Sequence, residues 1–156
     1  MLISPNPVSA GLLLFRRQPA LEIYIGHMGG PFWEQKDRGA WSIPKGLVEG
    51  RESLLLAAQR EFTEETGYTP EGTPISMGHI TMKSGKQVHI WAVEVPNDTE
   101  FTLKSNLFEI EWPPKSGKFQ WFPEMDRGGW FSIDEAKEKL IAAQHVFCDR
   151  LAAIKF

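Results

Sequence analysis

The stretch GLVEGRESLLLAAQREFTEETGY, residues 46–68, carries the clearest local signals in the chain. Between Ser53 and Thr66 it contains no proline or glycine and consists largely of strong helix formers. Gly67 follows directly, and glycine is the usual residue just past the end of a helix. The sequence therefore predicts a helix over Ser53–Thr66.

Three glutamates share one face of this predicted helix. At 100° per residue, Glu61, Glu64 and Glu65 cluster together. Like charges three or four residues apart each cost an isolated helix about 0.2–0.5 kcal/mol, and Arg60 is expected to pair with Glu64, which leaves the other two uncompensated. A hard divalent cation would turn this repulsion into binding, because Mg²⁺ prefers oxygen ligands. The three glutamates alone are more typical of a solvated acidic helix face than of a metal site.

The spacing around the glutamates resembles the Nudix box. Gly46 is followed after five residues by Glu52 and, after seven more, by REFTEETGY, residues 60–68. The resemblance implies an α/β fold, an α/β/α sandwich around a mixed β-sheet, as one domain over residues 1–156. It also implies hydrolysis of a nucleoside diphosphate linked to another group, X.

The same resemblance assigns metal ligands by position. It implies that Glu64 and Glu65 bind Mg²⁺ or Mn²⁺ directly, and that the main-chain carbonyl of Lys45 or Gly46 completes the protein's share. Glu61 becomes a further ligand or the general base. These assignments predict a metal-dependent active site.

Two further residues of the box have roles that the resemblance leaves open. Arg60 is similar to the residue that holds the loop of the box or orients Glu61, and a plain ion pair is the alternative. Glu52 is similar to an acid that assists metal binding or shapes the loop, and a contact with the N-terminal helix dipole is the alternative.

An acid outside the box completes some Nudix sites, on a loop ahead of a late strand. Glu124, six residues before Trp130, is the candidate, and Glu109 and Glu111 are weaker ones. Each of the three has an ordinary surface position as its alternative.

The substrate is indicated only by residues near the box. The entry Pro44-Lys45-Gly46 looks like that of diadenosine tetraphosphate and diphosphoinositol polyphosphate hydrolases, so Lys45 is a candidate to bind an extra phosphate. Trp112 and Trp121 lie in a long segment that alternates aromatic residues with lysines, and they are candidates to stack on a base. The alternatives are a solvated lysine and core tryptophans.

The rest of the chain predicts mostly strands. Apolar runs separated by turn residues predict two hairpins and short additional strands, whereas Ser132 and Glu135 form a capping box that opens a late helix. A long, irregular segment covers residues 96–129. The predicted strands are Val8–Arg16 with Leu21–His27, Trp41–Ile43, Ile75–Met82 with Gln87–Val95, Leu107–Trp112 and Phe119–Phe122.

Composition restricts the partners. The 156 residues fit one domain, and 17 basic against 20 acidic residues give a net charge of −3, so DNA is not an expected partner, whereas an RNA 5′ end is a possible one. The apolar run Ala10–Phe15 is too short to span a membrane, and the charges around it are the reverse of a secretory signal. Cys148 is the single cysteine, so we expect no internal disulfide and a cytoplasmic location.

Three hypotheses follow for a nucleotide-type substrate. The first is a metal-dependent pyrophosphohydrolase whose best candidate substrate is a dinucleoside polyphosphate. The second is a pyrophosphohydrolase of RNA 5′ ends or of nucleoside triphosphates. The third is a nucleotide-binding module without catalysis, which the complete set of carboxylates argues against. The oligomeric state is left open.

Overall fold

The computed structural model describes residues 7–156. These residues contain nine strands and three α-helices. The first six residues of the predicted 1–156 domain lie outside the described residues. In chain order the elements are β1 Val8–Arg16, β2 Glu22–Met28, β3 Trp41–Ser42, β4 Lys45–Leu47, α1 Leu54–Thr66, β5 Ile75–Thr81, β6 Gln87–Glu94, β7 Leu107–Glu111, β8 Phe119–Pro123, β9 Met125–Ser132, α2 Ile133–Lys139 and α3 His145–Ala152, with a 3-10 turn at Ala142–Gln144.

Strand β1 is the centre of a mixed sheet. It runs parallel to β6, from the pair Val8 and Gln87 to the pair Phe15 and Glu94. Its other edge is antiparallel to β2 and to β4, and β9 covers the far edge of β2. Strands β7 and β8 form a separate two-stranded ribbon.

The sheet opens into a wedge between β1 and β2. These strands pair only where Phe15 and Arg16 meet Ile23 and Glu22. Beyond that point β3 pairs with β2, and β4 pairs with β1. The carbonyl of Pro44 accepts a 3.3 Å hydrogen bond from the Leu12 N–H. The wedge therefore carries the segment that enters the box into the middle of the sheet.

Helices cover both faces of the sheet. Leu12 and Leu14 of β1 point toward α1, whereas Leu13 and Phe15 point toward α2 and α3, because successive side chains of a strand alternate between faces. All four side chains are buried. The predicted α/β/α sandwich is confirmed.

Local signals fixed the first helix as expected. The Ser53 hydroxyl caps α1 by accepting the Leu56 N–H at 3.2 Å. Gly67 ends the helix in the left-handed region, at φ 72°, and donates its N–H to the Thr63 carbonyl. Both predicted hairpins and the Ser132 cap of α2 are also present.

The segment over residues 96–129 differs from the prediction. It contains the two short strands expected, as β7 and β8, but also the first half of β9, which pairs with β2 along its length. Strand β9 begins MDRGG and has no apolar alternation, so only its long-range pairing makes it a strand. Among the described residues, none of the helices is long and apolar enough to cross a membrane.

Candidate active site

A cavity of about 440 Å³ lies where the wedge, α1 and the junction between β8 and β9 meet. Its charged lining residues are Lys45, Glu49, Glu61, Glu65, Lys86 and Glu124. The main chain of Gly46 also lines it. The box is therefore brought together with residues that lie far away in the sequence.

Glu61 is pressed against Gly46. The Glu61 side chain is almost fully buried, and a Cβ built on Gly46 would overlap its carboxyl group. Burial raises the pKa of Glu61, and the hydrogen bond and the charge of Arg60 partly oppose that rise. The glycine at the entry of the box is thus required by the position of the first glutamate.

Arg60 connects α1 to the loop of the box, residues 48–53, which lies between β4 and α1. Its guanidinium donates to both carboxylate oxygens of Glu52, at 2.7 and 3.1 Å, and to Glu61 at 3.0 Å. It also reaches Glu64 at 3.3 Å and the Leu47 carbonyl at 3.3 Å. The expectation that Arg60 leaves Glu61 uncompensated is therefore wrong, because one planar guanidinium can serve several acceptors.

Glu52 holds the loop. One of its oxygens accepts the Glu49 N–H at 2.8 Å, and both accept from Arg60. The hydrogen bonds from Arg60, with the one from Glu49, hold the pKa of Glu52 at about 2. Its side chain does not line the cavity. Of the two roles expected for Glu52, these contacts favour the loop-shaping one.

Glu65 is the least satisfied carboxylate of the site. It is 2% exposed, and its Oε2 atom has no hydrogen-bond partner among the described residues. Burial, followed by the charges of Glu61 and Glu124, raises the pKa of Glu65 to about 8. An orphaned oxygen beside other carboxylates fits a hard divalent cation, which would supply the missing partner.

Glu64 stands apart from the cavity. Its side chain is 47% exposed, is held by Arg60, and does not line the cavity. Within residues 7–156, no three His, Cys, Asp or Glu side chains are close enough together to form a ready cation site. The predicted ligands Glu61, Glu65 and Gly46 are therefore brought together, whereas a role for Glu64 as ligand stays a prediction.

Glu124 lines the cavity from the junction of β8 and β9. Its carbonyl accepts the Gly29 N–H at 2.8 Å, and its N–H donates to the Asn106 carbonyl at 2.8 Å. Its charge contributes to the raised pKa of both Glu61 and Glu65, so it faces the box. The weaker candidates, Glu109 and Glu111, lie on the ribbon and do not line the cavity.

Two lysines line the same cavity. Lys45 packs closely on β1. A Cβ atom built on Gly11 would lie 2.8 Å from the Cβ atom of Lys45. Burial, and then the nearby Lys86, lower the pKa of Lys45. Sequence reasoning found Lys45 but missed Lys86, because the parallel pairing that brings β6 beside β1 leaves no local signal.

The two tryptophans do not line the cavity. Trp112 packs edge-on against Phe32, with ring centroids 5.1 Å apart. Trp121 is 62% exposed on the ribbon. Their role in substrate stacking stays a prediction, and their location gives it no support.

Gln144 fixes the open part of the wedge, and sequence reasoning missed it. This buried side chain accepts the Ile43 N–H at 2.9 Å and donates to the Ser42 hydroxyl at 3.0 Å. It thereby replaces the strand partner that the backbone lacks between β3 and β4. Sequence reasoning could not find this role, because Gln144 is 101 residues from Ile43 and 102 residues from Ser42 in the sequence.

His27 and Cys148 are buried and occupy structural positions. His27 is fully buried, with its Nδ1 2.8 Å from Asp126 and its Nε2 2.6 Å from the Lys36 carbonyl. Cys148 is fully buried in α3, and burial raises its pKa to about 11. Neither residue lines the cavity.

The chain resembles known proteins in sequence and in fold. The family model of the NUDIX domain matches residues 5–150. A Caenorhabditis elegans Ap4A hydrolase in a binary complex is similar with a TM-score of 0.69 at 20% identity, over 93% of this chain and 96% of that one. The MutT protein of Methanosarcina mazei Go1 gives 0.61 at 21% identity, over 97% and 96%. The NUDIX domain of Shewanella oneidensis NrtR, complexed with ADP ribose, gives 0.65 at 13%, over 94% and 86%.

At these sequence identities, the solved structures show only that the fold is shared. The match to the family model shows membership of the family. It spans nearly the whole chain, and two glutamates of the box, Glu61 and Glu65, line the cavity. The chain therefore belongs to the Nudix family, and its membership supports an enzyme that hydrolyses pyrophosphate bonds.

Proposed function

We propose that this protein hydrolyses the phosphoanhydride of a nucleoside diphosphate linked to a group X, with Mg²⁺ or Mn²⁺, and that X is best represented by the rest of a dinucleoside polyphosphate. One observation carries the proposal. The buried oxygen of Glu65 has no partner, in a cavity that also holds Glu61 and Glu124. Buried polar atoms are normally satisfied, so this oxygen indicates a ligand that binds there.

The residues would divide the work as follows. Glu65, Glu61 and the Gly46 carbonyl would hold the cation, with Glu64 joining them once it leaves Arg60. The bound cation supplies charge neutralisation and polarisation of the phosphate oxygens. Glu61 or Glu124 would accept the proton of the attacking water, and burial raises the pKa of Glu61 toward the range that suits a general base near neutral pH. Arg60 and Glu52 would keep the loop in place.

The choice of substrate rests on Lys45 and on the neighbours. Lys45 lines the cavity beside the carboxylates. Its ammonium group would bind a substrate phosphate that is not part of the cleaved bond. The C. elegans neighbour is named as an Ap4A hydrolase, and the Shewanella neighbour was seen with ADP ribose, so both point to nucleotides. A cytoplasmic location remains a prediction from the single cysteine.

The decisive experiment is a substrate panel with products resolved by mass in ¹⁸O water. It compares a dinucleoside tetraphosphate, ADP-ribose, a nucleoside triphosphate and a 5′-triphosphorylated RNA, each with Mg²⁺ or Mn²⁺ and with EDTA. We expect metal-dependent turnover that is fastest on the tetraphosphate. Faster turnover of the RNA or of the triphosphate would overturn the substrate assignment.

A matched pair of variants tests the site itself. Glu65→Gln removes the orphaned carboxylate, and we expect kcat to fall by on the order of 100-fold or more while nucleotide binding persists. Glu109→Gln makes the same change on the ribbon, outside the cavity, and should leave kcat within about twofold. Equal rates for both variants would reject the site, and binding without turnover in the unaltered protein would favour the non-catalytic module.

A further inference from the structure

Strand β9 contains a bulge beside the cavity. Its pairing with β2 is regular as far as the pair of His27 and Arg127, but the next pair joins Met28 to Met125. Asp126 is therefore an extra residue of β9, as in a β-bulge. Met125, on the far side of this bulge, lines the cavity. The bulge thus separates the regular part of β9 from the part that reaches the proposed active site.

His27 lies at this bulge with both ring nitrogens against acceptors. Its side chain is fully buried, with Nδ1 2.8 Å from Oδ1 of Asp126 and Nε2 2.6 Å from the Lys36 carbonyl. A carbonyl oxygen can only accept, and Arg127 donates to the same Asp126 oxygen at 3.4 Å, so that carboxylate also accepts. A neutral imidazole has one donor and one acceptor nitrogen, so it would satisfy only one of the two contacts. The geometry therefore requires a proton on each ring nitrogen of His27.

Asp126 is the anion that pairs with this buried charge. The other charged neighbours of the site are already paired with each other, since Lys139 of α2 contacts the Trp41 ring and binds Asp37 at 2.9 Å. The Trp41 ring itself stands edge-on to His27, with centroids 5.3 Å apart. A buried charge is tolerated where it is paired and hydrogen-bonded, and the 2.8 Å contact with Asp126 meets both conditions.

A second contact holds the same stretch of chain from the other side of the bulge. The Gly29 N–H donates to the Glu124 carbonyl at 2.8 Å. A Cβ atom built on Gly29 would lie 1.9 Å from the carbonyl oxygen of Pro123, so the two chains are in close contact there. The stretch from Glu124 to Asp126 is thus held at both ends, by Gly29 and by His27. Glu124, which lines the cavity, is two residues from the His27 contact.

We propose that His27 is a positioning residue: as a buried imidazolium paired with Asp126, it fixes the bulge of β9 and thereby holds Glu124 toward the carboxylates of the cavity. The inference rests on the proposed function, in which Glu124 is a candidate base, and adds a residue that acts through it. His27 does not line the cavity, so it would affect turnover without contacting the substrate.

Nuclear magnetic resonance of the unaltered, metal-free protein tests the protonation directly. Correlations between ring protons and ¹⁵N show, for each assigned histidine, whether both nitrogens carry a proton. At about pH 7 we expect two protonated nitrogens in His27. His89 is the reference, because burial and the neighbouring His79 lower its pKa, and it should show one unprotonated nitrogen. One unprotonated nitrogen in His27 would overturn the proposal.

Amide hydrogen exchange tests the link to Glu124 without turnover. The N–H groups of Gly29 and Glu124 form the hydrogen bonds that hold this junction. We expect both to exchange at least about tenfold faster in His27→Gln and in Asp126→Ala, because local opening is easier once the charged pair is lost. The Gly67 N–H, which ends α1, should keep its rate and so exclude a global loss of stability. Unchanged exchange at the junction in both variants would contradict the proposal.

A double-variant cycle with Glu124→Gln tests the effect on catalysis. His27→Gln should lower kcat by on the order of tenfold, with KM within about threefold, because a catalytic group is displaced. Once Glu124 is already glutamine, His27→Gln should lower kcat by less than about twofold further. A purely structural role would lower kcat equally in both backgrounds, and that result would overturn the proposal.

His79→Gln is the matched control, because His79 is exposed on β5 and does not line the cavity. It should leave kcat and the exchange rates at the junction unchanged. Failure of the unaltered protein to turn over any substrate of the panel would defeat the proposed function, whereas the ring spectra and the amide exchange would still decide the role of His27.

Discussion

The burial of Glu65 makes the stability of the protein depend on pH. The Glu65 pKa of about 8 lies well above the usual value for glutamate, because the side chain is buried beside Glu61 and Glu124. At pH values between the usual glutamate pKa of 4.5 and about 8, Glu65 keeps its proton in the folded, metal-free protein and has lost it in the unfolded chain. The free energy of unfolding therefore falls as pH rises through this window, by at most about 1.4 kcal/mol per pH unit.

The corresponding prediction concerns Glu65→Gln. We expect urea unfolding in EDTA to show that the unaltered protein loses stability from pH 5.5 to 7.5, and that Glu65→Gln flattens this decline because glutamine does not titrate. Glu109→Gln should keep the original slope, since that residue is exposed on the ribbon. Parallel slopes for the unaltered protein and Glu65→Gln would contradict the buried-proton account.

At the scale of elements, β4 and α1 meet at Gly46. The carboxyl group of Glu61 occupies the space that a side chain at position 46 would need. The contact joins the sheet to the helix at the point where the cation is proposed to bind. The spacing of the box is thus a packing requirement between two elements as well as a set of chemical groups.

Gly46→Ala tests this contact. The added methyl group should displace Glu61, and a misplaced catalytic group costs on the order of 100-fold in rate. We expect kcat to fall by about that factor, measured on the best substrate of the panel, while far-ultraviolet circular dichroism stays unchanged. Unaltered kinetics would mean that Glu61 has room to move without consequence.

Elements with local signals could be predicted, and those without could not. Ser53 and Gly67 mark the ends of α1 by their own chemistry, so one window of sequence was sufficient. Strand β9 has glycines and charged residues where a strand pattern would be apolar, and its pairing with β2 spans about a hundred residues. The same contrast holds in the site, where the glutamates of the box were found but Lys86 was not.

At the scale of the molecule, the wedge in the sheet depends on a distant residue. Gln144, from the turn before α3, satisfies the Ile43 backbone in the gap between β3 and β4. This joins the C-terminal helices to the segment that leads into Lys45 and Gly46. A residue from the C-terminal part of the chain therefore supports the segment that lines the cavity.

Gln144→Ala should destabilise the protein by about 1–3 kcal/mol, because it leaves buried polar groups without partners. We also expect a higher KM, since the segment ahead of Lys45 loses its support. Chemical unfolding and steady-state kinetics measure the two effects. Gln120→Ala removes an exposed hydrogen bond to the Trp112 carbonyl and should cost less than about 0.5 kcal/mol. Similar losses in both variants would contradict a special role for Gln144.

The parallel pairing of β1 with β6 also bears on how the protein emerges from the ribosome. During synthesis, Val8 of β1 cannot pair until Gln87 of β6 has been made. Likewise, β2 cannot pair fully with β9 until the chain has been made as far as Ser132. Until then the run of leucines in β1 has no complete cover, and contacts of such long sequence separation form slowly. A nascent chain halted before residue 87 would therefore expose an aggregation-prone edge of β1. The cavity proposed as the active site would be among the last features to form during synthesis.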